Sequence, residues 1–91
     1  MKSRVEFVGQ AKKAIRKGFD LKTKLNNLVK DLEDRGAIQP KWNRFSKLKD
    51  GSGYHCHLGY RHVACWRLSA DSIELYFIGR RNNAPWNADK R

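Results

Sequence analysis

Apolar and polar positions follow two rhythms along the chain, and the switch between them divides it. Residues 4–8, Arg-Val-Glu-Phe-Val, alternate with a period of two and predict a short strand. Ala11, Ala14, Ile15 and Phe19 then recur at helical spacing with Lys12, Lys13, Arg16 and Lys17 between them, which predicts a first helix of about 10 residues. Gly18 ends it, and Asp20 is placed to cap the next. Leu21, Leu25, Leu28, Val29 and Leu32 form the apolar stripe of a second helix of about 16 residues. Lys30–Asp34 and Asp31–Arg35 stand four apart on its wet faces, and Gly36 is a natural stop.

From Ile38 the period changes. Trp42–Leu48 has room for a short strand, and Lys49-Asp50-Gly51-Ser52-Gly53 is turn chemistry. Tyr54–Leu58, His62–Leu68 and Ser72–Ile78 read as three strands joined by tight turns. The last is the most apolar and belongs inside the sheet, with Glu74 toward solvent. The fold class is therefore α+β: an N-terminal strand and a two-helix hairpin packed on one face of a mostly antiparallel four-stranded sheet. Helix-packing contacts are expected from Leu25, Leu28, Leu32 and Phe77. The other face is left open.

At 91 residues there is room for one domain, 1–91, with 87–91 reading as a loose basic tail. Two cysteines, Cys56 and Cys65, are too few for a disulfide-stapled secreted domain and read as packing residues. No apolar run approaches the ~20 residues that span a bilayer. The basic N-terminus lacks the apolar stretch of a signal peptide. A cytoplasmic protein with no membrane partner is the expectation.

Charge changes the picture most. Twenty Lys plus Arg against nine Asp plus Glu leave a formal +11. So small and basic a domain repels itself, and such an excess serves a polyanion or an acidic partner. Three Trp, four Phe and three Tyr argue against a merely disordered basic tail.

Strand alternation in Tyr54-His55-Cys56-His57-Leu58 sends Tyr54, Cys56 and Leu58 to the helix-packed core. His55 and His57 then stand together on the open face, suited to proton transfer near neutral pH. With His62 the pair could also hold zinc, but no acid or thiol is aimed at the same face, and no metal or other cofactor is expected. Arg61, Arg67, Arg80 and Arg81 lie at strand ends of this sheet, where planar permanent cations suit a phosphate and its transition state. Lys47 and Lys49, on the loop entering the sheet, add to the same field. Trp86, after Pro85 and near the arginines, can stack on a nucleobase. Each of these also has a plain reading as a solvated charge or an edge-covering ring.

Taken together, the β-α-α-β-β-β order, the segment LGYRHVACWRL and the terminal IELYFIGRRNNAPW resemble the RelE/ParE superfamily of toxins from bacterial toxin–antitoxin modules. The likeness covers nearly the whole chain and is most specific at Tyr60-Arg61 and at Gly79-x-Arg81. For the RelE-like branch it implies a metal-independent endoribonuclease that cuts mRNA on the ribosome, held in check by an acidic or amphipathic antitoxin. Residue by residue, His55 and His57 occupy the strand positions of the alternating catalytic lysines. Arg61 matches the hairpin arginine and Arg81 the arginine after the last strand. Trp86 falls where a tyrosine stacks on the substrate base; it can stack but has no hydroxyl to move a proton. A ParE-like gyrase-binding toxin, which is no nuclease, is the alternative within the fold, and a housekeeping RNA-binding protein the alternative outside it. A three-residue turn, Leu58-Gly59-Tyr60, would pair His57 with Arg61 and put both, with Arg67, on the open face. A two-residue turn would pair His57 with His62 and bury Arg61, at the cost of an unpaired guanidinium.

Overall fold

The two rhythms become two layers in the computed structural model, which describes residues 3–49, 51 and 53–84. The order is β1 (Arg4–Phe7), α1 (Gly9–Arg16), α2 (Lys22–Arg35), β2 (Ser46–Lys47), β3 (Tyr54–His57), β4 (His62–Ser69) and β5 (Ser72–Arg80), closed by a 3-10 turn at Arg81–Asn83. The sheet runs β1-β5-β4-β3-β2, with β1 parallel to β5 and the other pairs antiparallel. The four-stranded sheet expected from the pattern is extended by the two-residue β2 at its far edge. The apolar β5 lies inside, between β1 and β4.

Leu25, Leu28 and Leu32 from α2 and Ala11 from α1 meet Cys56, Leu58, Ala64, Trp66, Ile73, Leu75 and Ile78 from the sheet. Asp20 does not cap α2. Leu21 occupies the cap position without a side-chain bond and packs on the core instead, so an apolar anchor replaces the polar cap. Gly36 ends the helix as expected, at φ 90, with its N–H donating to Leu32 O. The chain then crosses the core under polar pins. The Gln39 amide donates to Asp31 O at 2.9 Å and Gly36 O at 2.8 Å. Trp42 Nε1 donates to the Asp31 carboxylate at 2.8 Å. Trp66, fully buried, donates from Nε1 to Ala37 O at 2.9 Å, while Phe45 stacks near both Tyr54 and Trp66.

Phe77 does not face the helices. A bulge at Cys65/Trp66 sets Trp66 opposite Leu75 but Cys65 opposite Phe77. The extra residue in β5 flips the side-chain parity, and Phe77 joins Val63, Cys65 and Ala84 in a small cluster on the opposite face. Where β1 ends, α1 takes over beside β5: Val8 N donates to Leu75 O, and the Gln10 side chain accepts from Ile78 N at 2.9 Å. The two cysteines are buried and unbridged. They face opposite sides of the sheet, and burial pushes each thiol up to about 12, which makes them inert packing groups. No described helix is long and apolar enough to cross a membrane.

Gly53 is the tightest backbone approach. A Cβ there would collide with the carbonyl oxygen of Trp66 and press on its carbonyl carbon and the Arg67 Cβ at 3.2–3.3 Å. Backbone cannot swing aside as a flexible side chain does, so Gly53→Ala is expected to destabilise by about 1–3 kcal/mol. A chemical-denaturation midpoint equal to that of the parent protein would show that the β3–β4 edge yields.

Candidate active site

Cross-strand pairing puts His55 beside Cys65 and His57 beside Val63, on the face away from the helices. The rings are half-buried and their centroids lie 6.4 Å apart. Ser46 of β2 pairs with His55, and its Oγ lies 3.3 Å from Nδ1. Both imidazoles are held below their ordinary pKa. For His55 the cause is burial and then the neighbouring His57. For His57 it is burial, then the cations Arg44 and Arg81. Both shifts favour the uncharged imidazole, the form able to accept a proton.

The hairpin register differs from both turns considered from the sequence. Neither Arg61 nor His62 pairs with His57; Val63 does, and Leu58 N donates to His62 O at 2.9 Å. Gly59-Tyr60-Arg61 thus forms the loop. A slip of two residues keeps parity, so Arg67 is still on the histidine face, whereas Arg61 moves off the ladder to the tip. There its carbonyl accepts a 2.7 Å bond from Arg81 N. The bond ties the hairpin tip to the end of β5. Tyr60, Arg61, Arg80, Arg81 and Asn82 then line a shallow polar cleft of about 260 Å³. Arg81 belongs to both groups: it lines the cleft and lowers the pKa of His57.

Other expected residues lie elsewhere. Lys47 pairs with Tyr54, whose ring packs on the helix-side core, so Lys47 is turned from His55 by strand alternation. Lys49 sits exposed in the turn after β2. Arg67 is ion-paired to Glu74 at 2.9 Å and lies over the Tyr76 ring at 5.0 Å. Arg4 and Glu6 form another ion pair on β1, the strand beside β5. The open face thus has an ion-paired half and a half that carries imidazole and guanidinium. Trp86 lies outside the described residues.

Arg44 was not foreseen. It has φ 55, a left-handed conformation that is costly for a side-chain-bearing residue and recurs at functional sites. Its neighbour Asn43 accepts a 2.8 Å bond from His57 N, which anchors this loop against β3. The only signal in the chain was a basic residue before a short strand. What matters, its placement near His57, is a long-range contact. Among the described residues, no three His, Cys, Asp or Glu side chains are grouped to hold a metal.

A two-helix layer on a mostly antiparallel sheet, with basic and imidazole groups on the bare face, is the architecture of the RelE/ParE toxins, and this chain has that fold. It is similar to the YoeB of the YoeB–YefM complex from Staphylococcus aureus, at 18% identity and TM-score 0.66 over 89% of this chain and 99% of that one. The E. coli DinJ–YafQ toxin–antitoxin complex matches at 17% and 0.65, covering 88% and 93%. A YoeB/ParE toxin from Agrobacterium tumefaciens matches at 13% and 0.67, covering 86% and 98%. These likenesses establish the fold. No protein-family model and no curated protein sequence matches the chain.

Proposed function

We propose that this protein is the toxin of a toxin–antitoxin module and cuts mRNA, on the ribosome, without a metal. The observation that carries the reading is the placement of His55 and His57 together on the open face, with Arg44 and Arg81 near enough to His57 to disfavour its protonation. In the reaction the RNA 2′-oxygen attacks the adjacent phosphorus while His57 takes its proton. The bond from phosphorus to the 5′ oxygen breaks, leaving a 2′,3′-cyclic phosphate. The leaving oxygen takes a proton from water, since burial and the neighbouring His57 disfavour the protonated form of His55. Arg44, Arg61 and Arg81 stabilise the charge that grows on the phosphoryl oxygens. The 2′-hydroxyl restricts the chemistry to RNA. Lys49 and Arg80 serve as backbone contacts, and the resemblance implies a base contact for Trp86. Arg67 contributes through the same face while held by Glu74.

One of the similar structures is a toxin–antitoxin complex, and another is also a complex of two proteins. The formal +11 supports an acidic or amphipathic partner of the same kind for this chain. Two buried, unbridged cysteines accord with a cytoplasmic site of action. The test is to induce the protein in growing cells and compare mRNA integrity with DNA supercoiling. Growth arrest with fragmented transcripts and unchanged supercoiling is expected. Intact transcripts with altered supercoiling would move the protein to the gyrase-binding branch.

A further inference from the structure

The cleft at the hairpin tip holds more than a phosphate requires. Tyr60, at its apex, is 89% exposed, and no core contact employs its ring. Among the described residues, no hydrogen bond, ion pair or ring contact engages the side chains of Tyr60, Arg61, Arg80 or Asn82. The loop that presents them is nevertheless fixed. Leu58 N and His62 O close it from inside, and Arg81 N and Arg61 O lock it to the end of β5. From below, Gly59 lies so close to α2 that a Cβ would stand 3.3 Å from Leu21 Cδ1. A rigid loop that displays an aromatic ring among guanidiniums, next to an amide, is organised in advance for a ligand with a flat face, a polar edge and negative charge.

We infer that Tyr60 and Asn82 form a base-binding subsite, in which one nucleobase of single-stranded RNA stacks on the Tyr60 ring and is read at its edge by the Asn82 amide. The inference rests on the ribonuclease reading and adds which part of the substrate is recognised. Continuity favours RNA over an acidic peptide. Arg81 lines the cleft and is also near enough to His57 to lower its pKa. A strand with its phosphate at His57 and Arg81 therefore lays a flanking nucleotide into the cleft. Stacking tolerates every base, because each has a π-face. The Asn82 amide carries both a donor and an acceptor and so can discriminate among edges. Tyr60 would set affinity and Asn82 preference.

The test uses a 2′-O-methylated RNA octamer, which cannot be cleaved, with one abasic site moved through the eight positions. Binding to the full-length protein is followed by fluorescence anisotropy. One position is expected to weaken binding about 5- to 50-fold when its base is removed. Tyr60→Ala should erase that difference, and Tyr60→Phe should preserve it. Asn82→Ala should keep it while levelling the preference among the four bases there. Tyr60 is exposed, so the alanine variant removes no core packing. A Tyr60→Ala protein that still discriminates the abasic octamer as the parent does would overturn the inference and leave the ring to a protein partner. So would a parent protein indifferent to every abasic position. Cleavage of mRNA with base-blind binding removes the subsite alone. Base-dependent binding without mRNA cleavage removes the nuclease reading and leaves the subsite.

Discussion

His57→Ala is expected to slow mRNA cleavage about 10²- to 10⁴-fold at saturating substrate, the range over which a positioned general base acts. The fold should survive, because the ring is only half-buried and no described side-chain hydrogen bond depends on it. The pH dependence gives the sharper reading. His57 must be neutral to accept the 2′-hydroxyl proton, so the single-turnover rate should rise with pH and then level. Burial and the cations Arg44 and Arg81 hold its pKa below the ordinary 6.5, so the midpoint of the rise should fall below that value. Removing a neighbouring positive charge eases protonation. Arg44→Gln should therefore move the midpoint upward while also weakening the phosphate contact. A rate profile without an inflexion on the acid side, or one that His57→Ala leaves intact, would take this imidazole out of the reaction. An Arg44→Gln midpoint shifted downward would contradict the electrostatic account.

Trp66→Ala should remove about 3–5 kcal/mol of stability. A domain of this size has roughly 5–9 kcal/mol in total, so the variant would sit near the edge of unfolding at 37 °C. Trp66 is fully buried, stacks near Phe45 and Tyr54, and donates to Ala37 O across 29 residues of chain. Alanine leaves a cavity and an unsatisfied carbonyl together. Trp66→Phe keeps most of the volume and loses the hydrogen bond, so its cost should be about 1–2 kcal/mol. Urea midpoints of the three proteins give the comparison. Equal midpoints for the alanine and phenylalanine variants would mean that the hydrogen bond, and not the packing of the ring, holds the crossover segment to the sheet.

The helical layer and the strand positions were legible because each depends on neighbours in sequence. The stripe of Leu25, Leu28 and Leu32 repeats within two turns, and the alternation through His55 and His57 spans four residues. Solvent exposure of one helix or strand face imposes such patterns locally. The candidate site was legible only as a set of residue types, since imidazoles on an open strand and arginines at strand ends can be named without knowing their distances. The Leu21 cap shows where even local rules yield, for the pull of the core outweighed the polar cap offered by Asp20.

The remaining decisions belong to the tertiary structure. The composition of Gly59-Tyr60-Arg61 accommodates several turn lengths. The pairing of His57 with Val63 is decided by how β4 sits between two neighbours, and this alone carries Arg61 to the tip beside Arg81. The bulge at Cys65/Trp66 has no signature in the alternation of β5, yet one extra residue turned Phe77 to the far face. Arg44 comes near His57 through a loop 13 positions earlier in the chain, held by one backbone hydrogen bond. A single-residue change of register exchanges the faces of a strand, and register is selected by the summed packing of all five strands. Residue types and periods were thus written in the chain, while the company each side chain keeps was settled only by closure of the sheet.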